Sequence, residues 1–175
     1  MSINPELMDF GEGELRPSLR RDEHLVMSRK SIRFSVEDEN EIFKGSGNIY
    51  VTNKNVFIIK TKNVNKPSNF TSLCLPIRNI YNLKFEQPIF LASYLQGFIK
   101  PEINSEYPLS KNSKWWISFY NGGCTTFVRM LYKLYLKAMR DNSNFNNDNT
   151  NNNANEQDGF AFVDATDPTV IYIQE

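Results

Sequence analysis

Few residues in this chain have the type and spacing to do chemistry. His24 is the one histidine, set in a polar stretch, and a lone histidine there is expected to be a surface residue rather than a ligand or a base. Cys74 and Cys124 are distant in sequence and lack the paired spacing of a zinc site. No histidine lies near either in sequence to activate it as a nucleophile, so both are expected to be buried, reduced thiols. Gly45-Ser46-Gly47 is not a phosphate cradle, because the later glycine is missing and a strand pattern, not a helix pattern, follows. The carboxylates Glu37, Asp38, Glu39 and Glu41 lack calcium-loop spacing and read as a solvated turn. The expectation is a non-enzymatic chain with no catalytic residue, no metal and no cofactor.

Charge is more informative than nucleophiles. The formal net charge is zero, but it is unevenly spread. Residues 1–46 carry ten acids and seven bases, residues 47–140 thirteen bases and three acids, and residues 141–175 seven acids and no base. A basic body with an acidic tail points to an anionic partner, to a tail that covers the body, or to solubility alone. Lys54, Lys60, Lys62 and Lys66 fall around one hairpin and its next loop, where they could bind an anion by charge-assisted hydrogen bonds. Arg129, Lys133, Lys137 and Arg140 recur at helical spacing, off the apolar face and toward the expected end of a helix. Trp115 and Trp116 are adjacent in an extended pattern, so one of them is expected to point outward as a partner contact.

The elements that must position these residues are mostly β. A chain of 175 residues suffices for one domain with tails. No apolar run approaches the roughly 20 residues that span a bilayer, and residues 1–21 resemble neither a signal nor a transit peptide. Residues 1–23 read as a flexible leader, and 141–159 as an asparagine-rich disordered linker. Residues 160–175 form an acidic tail whose apolar clusters, with Phe160, Phe162, Ile171 and Tyr172, are candidates to dock on the domain or on a partner. Strands are expected over 47–53, 55–62, 72–80, 81–87, 94–102 and 114–123, with Pro76 at an edge or bend and Gly97 at a bulge or bend. From Thr125 the period becomes helical through Phe127, Leu131, Leu134 and Ala138, with Thr125 or Thr126 as cap. Several strands and one closing helix predict a small, partly open barrel plugged by that helix.

Three segments resemble the GRAM domain of the WW-domain-binding protein and postacrosomal-sheath protein family. FKGSGNIYVTNKNVFII (43–59) resembles its first hairpin, and LCLPIRNIYNLKFEQPIFLASYLQGFIKPE (73–102) its next block, with Gln87, Pro88, Ile89, Phe90, Tyr94 and Gly97 in matching places. WWISFYNGGCTTFVRMLYKL (115–134) resembles its closing strand, glycine turn and helix through Gly122, Gly123, Phe127 and Met130. The resemblance covers about residues 24–140 and implies a pleckstrin-homology-like fold: two packed antiparallel sheets and a C-terminal helix. Residues 80–100 are too apolar for a surface loop, and the resemblance implies that the 87–90 stretch within them is a turn between two strands, directed by Pro88 with Phe90 and Tyr94 packed beneath. Folds of this kind can hold a phosphorylated headgroup at a hairpin mouth such as that of Lys54.

The family's adaptor members carry Pro-Pro-x-Tyr motifs that bind WW domains, and this sequence has none, so WW domains are not carried over as partners. The function expected is an adaptor module in the cytoplasm or nucleus that contacts a protein or an anionic phosphoinositide membrane. The alternatives are a nuclear transcriptional co-regulator and a small subunit of a larger assembly. Direct nucleic-acid binding is not expected, since Trp115, Trp116 and Phe119 lie in a strand the core needs.

Overall fold

Alternation along the chain decides which face of each strand is buried. In the computed structural model, which describes residues 1–11, 13–39, 41–61, 70–89, 91–101, 111–147, 161–163 and 171–173, ten strands precede one helix. They are β1 (Ser2–Ile3), β2 (Leu7–Asp9), β3 (Leu15–Pro17), β4 (Leu25–Glu37), β5 (Ile42–Thr52), β6 (Asn55–Lys60), β7 (Ser72–Pro76), β8 (Ile80–Glu86), β9 (Tyr94–Ile99) and β10 (Ser113–Phe119). A 3-10 turn, Ile77–Asn79, separates β7 from β8, so the extended run expected over 72–80 is broken just after Pro76. The helix α1 is Cys124–Asn147, and two short strands, β11 (Ala161–Val163) and β12 (Ile171–Ile173), pair with each other.

The main sheet runs β1-β7-β6-β5-β4-β10-β9-β8, with each neighbouring pair antiparallel. It curls so that Phe34, Val36, Ile49, Val51, Ile58, Leu73, Leu75, Leu95, Trp115 and Ile117 share one core. Phe127 and Leu131, both at 0 % exposure, bring α1 onto that core, with Leu134 and Ala138 packed at its border. The apolar helix face therefore plugs the curled sheet, as its spacing predicts. The helix starts at Cys124, ahead of the threonines expected to cap it, and the Phe127 N–H donates to the Gly123 carbonyl at 3.1 Å. It also runs on to Asn147, through the start of the expected linker, so its last turn holds no cation.

Two glycines are set by close approach. At Gly47 an added Cβ would lie 2.2 Å from the Ile59 carbonyl oxygen, so no side chain fits between β5 and β6 there. At Gly97 it would lie 3.2 Å from both Trp115 Cζ2 and the Tyr81 carbonyl oxygen. Gly97 thus makes room for the buried indole, and β9 keeps regular register with β10. The bulge expected at Gly97 sits instead on the neighbouring β8, between Tyr81 and Lys84, where Asn82 takes φ 51°.

Residues 1–23 are not a detached leader. Ser2 and Ile3 pair with Cys74 and Leu73, and Met1 is at 0 % exposure in the core. The β2–β3 hairpin lies on the outer side of the sheet, where Leu7, Leu15 and Leu19 cover Tyr50, Phe57, Ile59 and Cys74. A sheet with apolar residues on both faces needs such a cover, and the leader's three leucines supply it. Substituting Leu7→Asp with Leu15→Asp is expected to speed labelling of the Cys74 thiol by about tenfold or more, as local opening uncovers it. Cys124, buried at the start of α1, should stay protected in the same mass-spectrometric time course.

Candidate functional site

The turn joining β5 and β6 is locked by the chain just ahead of β4. Thr52 Oγ1 donates to the Glu23 carboxylate at 2.5 Å and accepts the N–H of Asn55 at 2.8 Å and of Lys54 at 3.2 Å. Asn55 Nδ2 donates to the same Glu23 oxygen at 2.7 Å, which satisfies a carboxylate that is 8 % exposed. Asn53 accepts from the His24 N–H at 2.9 Å and donates to the Asp22 carbonyl at 3.2 Å. Lys54 Nζ forms an ion pair with the Asp22 carboxylate. That hydrogen bond from Lys54 is the main reason the Asp22 carboxyl titrates below its ordinary value of 3.8.

The basic residues foreseen around this hairpin are not gathered into one cluster. Lys54 lies in the turn just before the six-residue β6 and Lys60 at its far end, roughly 20 Å apart along the chain. Lys60 crosses Gly45 and places Nζ 4.3 Å from the centroid of the Phe70 ring. Lys62 and Lys66 lie outside the described residues. The carboxylate turn after β4 is internally satisfied: Ser113 Oγ donates to Asp38 at 3.0 Å, and Lys111 pairs with Glu39 at 2.6 Å. Among the described residues there is no group of three or more His, Cys, Asp or Glu able to hold a metal ion. Burial pushes the Cys124 thiol up to about 12, which leaves it protonated and inert near neutrality.

The tryptophans divide as the strand period requires. Trp115 is 1 % exposed in the core, while Trp116 is half-buried on the outer face, opposite Ser35 of β4 and Gln96 of β9. The same outer face carries exposed Lys114 and Phe98, and Phe98 stacks on Tyr81 at 5.6 Å between centroids. Lys84 pairs with Glu86 at 2.8 Å, and with the Tyr94 hydroxyl it holds the Glu86 carboxyl below its ordinary range. Glu86 in turn raises the Tyr94 phenol.

On α1 the structure does bring the foreseen cations together. Arg129, Lys133, Lys137 and Arg140 are all exposed, and steps of four, four and three residues place them on one stripe. Half-buried Tyr132, Leu136 and Met139 line one border of that stripe. In the tail, Phe162 is registered with Tyr172 and Val163 with Ile171, whereas Phe160 lies outside the described residues.

Sequence reasoning missed the outward tips. Ile89 is 91 % and Leu91 74 % exposed, so the apolar 87–91 stretch is partly a surface loop after all. Phe90 lies outside the described residues, and Tyr94 is half-buried with its hydroxyl donating to Glu86. Three apolar residues in a row straight after Gln87-Pro88 were the available signal, since a turn of that length cannot bury all of them. Because folding lowers the Asp22 titration, the Asp22–Lys54 pair contributes above pH 3.8 and is lost as pH falls through the lower folded value. Lys54→Ala is expected to return the Asp22 midpoint toward 3.8, read by carboxyl NMR titration.

No family model matches the chain. It is 26 % identical over 138 residues to the postacrosomal sheath WW domain-binding protein of Macaca fascicularis, which covers 76 % of this chain and 51 % of that protein. The chain therefore spans about half the length of that relative. Among solved structures it is similar to the Vps36 N-terminal PH domain, with TM-score 0.53 and 15 % identity over 80 % of this chain and 95 % of that one. The chain is thus similar in sequence to the postacrosomal sheath WW domain-binding protein and carries a pleckstrin-homology-like fold, as its three matching segments implied.

Proposed function

We propose that this chain is a non-enzymatic binding module of the GRAM kind, whose domain takes in residues 1–23 as well as 24–140, and that it works as an adaptor for an acidic protein partner. The single observation that carries the reading is the α1 stripe. Four exposed cations lie in line on the outer side of a helix whose inner side is committed to the core. Along α1 the first acid is Asp141, at the far end of the stripe, so Arg129 and Lys133 have no Asp or Glu within a turn of them on the helix. A rigid helix presenting Lys and Arg beside half-buried Tyr132 and Leu136 offers charge for steering and apolar area for holding.

The relatives support a binding role. One is named for binding WW domains, and the other is a PH domain. The WW-domain ligand itself is left aside, because this sequence contains no Pro-Pro-x-Tyr. The lysines near β6 contribute less to this reading than α1, since Lys54 is held by Asp22 and Lys60 lies over Phe70.

The triple variant Arg129→Glu, Lys133→Glu, Lys137→Glu should recover the partner about tenfold less well than the full wild-type chain in a quantitative pull-down. Wild-type recovery should also weaken as salt rises. Recovery that is insensitive to both the variant and salt would remove α1 as the contact.

A further inference from the structure

The turn between β8 and β9 lies apart from the α1 stripe and is unlike any other part of the surface. Ile89 at 91 % and Leu91 at 74 % are the most exposed large apolar side chains among the described residues. The inner residues of the flanking strands, Phe85 and Leu95, already serve the core, so the tip is not a displaced piece of it. Two neighbouring aliphatic side chains held in water gain free energy from any apolar cover.

What surrounds the tip selects the cover. The Phe119 N–H donates to the Ser93 carbonyl at 3.1 Å, which fastens the turn beside the end of β10. There Tyr120 is 54 % exposed, and Arg33 lies 4.6 Å over its ring and donates to its hydroxyl at 3.3 Å. The Arg29 guanidinium reaches the following turn, 2.9 Å from where a Cβ on Gly123 would stand, and Lys30 is exposed next to it. None of Arg29, Lys30 and Arg33 has an acidic partner among the described residues. The segments that meet at this end, residues 24–36, 87–101 and 114–126, contain no Asp or Glu, and Glu86, just before the turn, is already paired with Lys84.

An aliphatic protrusion, an amphipathic tyrosine and a rim of unopposed cations together match the chemistry of a bilayer interface with anionic headgroups. We propose that the β8–β9 turn is a membrane-inserting tip, in which Ile89 and Leu91 enter the acyl boundary while Arg29, Lys30 and Arg33 contact anionic lipid. Tyr120 then sits at headgroup depth. This goes beyond the adaptor reading and does not depend on it, since it uses a different end of the domain.

The test is co-sedimentation of the full chain with phosphatidylcholine vesicles made with and without phosphatidylserine, across a salt series. Wild type should bind the phosphatidylserine vesicles, more weakly as salt rises. The variant Ile89→Ser with Leu91→Ser should bind at least about tenfold more weakly at every salt concentration. Lys30→Glu with Arg33→Glu should lose the preference for phosphatidylserine. Both substituted aliphatic residues are exposed, and an unchanged thermal midpoint confirms that the fold is intact. Wild type that fails to sediment with phosphatidylserine vesicles overturns the proposal, and so does an Ile89/Leu91 variant that binds as wild type does. An Ile89/Leu91 variant that keeps vesicle binding but loses a protein partner assigns the tip to protein contact and also overturns it. The adaptor reading is scored separately, on the α1 variant without lipid, so one can fail while the other stands.

Discussion

Strand β4 has to serve two half-sheets at once, and the rest of the fold follows from how it does so. Its thirteen residues pair with β5 on one side and β10 on the other. The strand breaks register with β5 between Arg29 and Ile32, where Ser31 takes φ 59°, and from Ile32 to Glu37 it pairs with both neighbours. A left-handed residue at a bulge sharpens the local twist at a modest local cost. Beyond the bulge, Ile32, Phe34 and Val36 turn inward together, each at 1 % exposure or less. Across from Val36, Trp115 enters the core over the space left by Gly97. The helix then closes what the curled sheet leaves open, through Phe127 and Leu131.

Legibility followed the strength of local pattern. The hairpin of β5 and β6 was readable from its β-branched and aromatic runs around a short turn, and the alternation of Leu83 and Phe85 against Lys84 and Glu86 and the helical spacing of Phe127 and Leu131 because those elements bury one face. β4 itself was not foreseen as a strand. Its first half, LVMSRKS, has no period that separates an inner from an outer face, and only the pairing with β5 makes it extended. The leader was misjudged for a related reason. Leu7, Leu15 and Leu19 are spaced too far apart to signal burial, and their role appears only when Tyr50, Phe57 and Ile59 present a second apolar face to be covered. The candidate cations on α1 were legible from helical period alone, whereas the separation of Lys54 from Lys60 required knowing which way β6 runs.

Charge is organised by the same architecture. Several acids of the folded domain are occupied: Asp22 by Lys54, Glu86 by Lys84, and Glu39 by Lys111. These exposed pairs add little to stability, but they neutralise the surface locally. At the end where β10 passes into α1, Arg29, Lys30 and Arg33 have no acidic partner among the described residues and remain available to outside charge. The proposed protein contact along α1 and the proposed lipid contact at the β8–β9 tip draw on two parts of one cation-rich region, positioned by the strand and helix that complete the core.

The central claim is that outside contacts are made by that cation-rich end and not by the β5–β6 hairpin. Amide chemical-shift mapping of the full chain against phosphatidylserine nanodiscs tests it most directly. The account predicts changes at residues 29–33, at 87–93, and at 119–123, with little effect around Lys54 and Lys60. Changes centred on Lys54 and Lys60, with the β8–β9 tip unmoved, would contradict it.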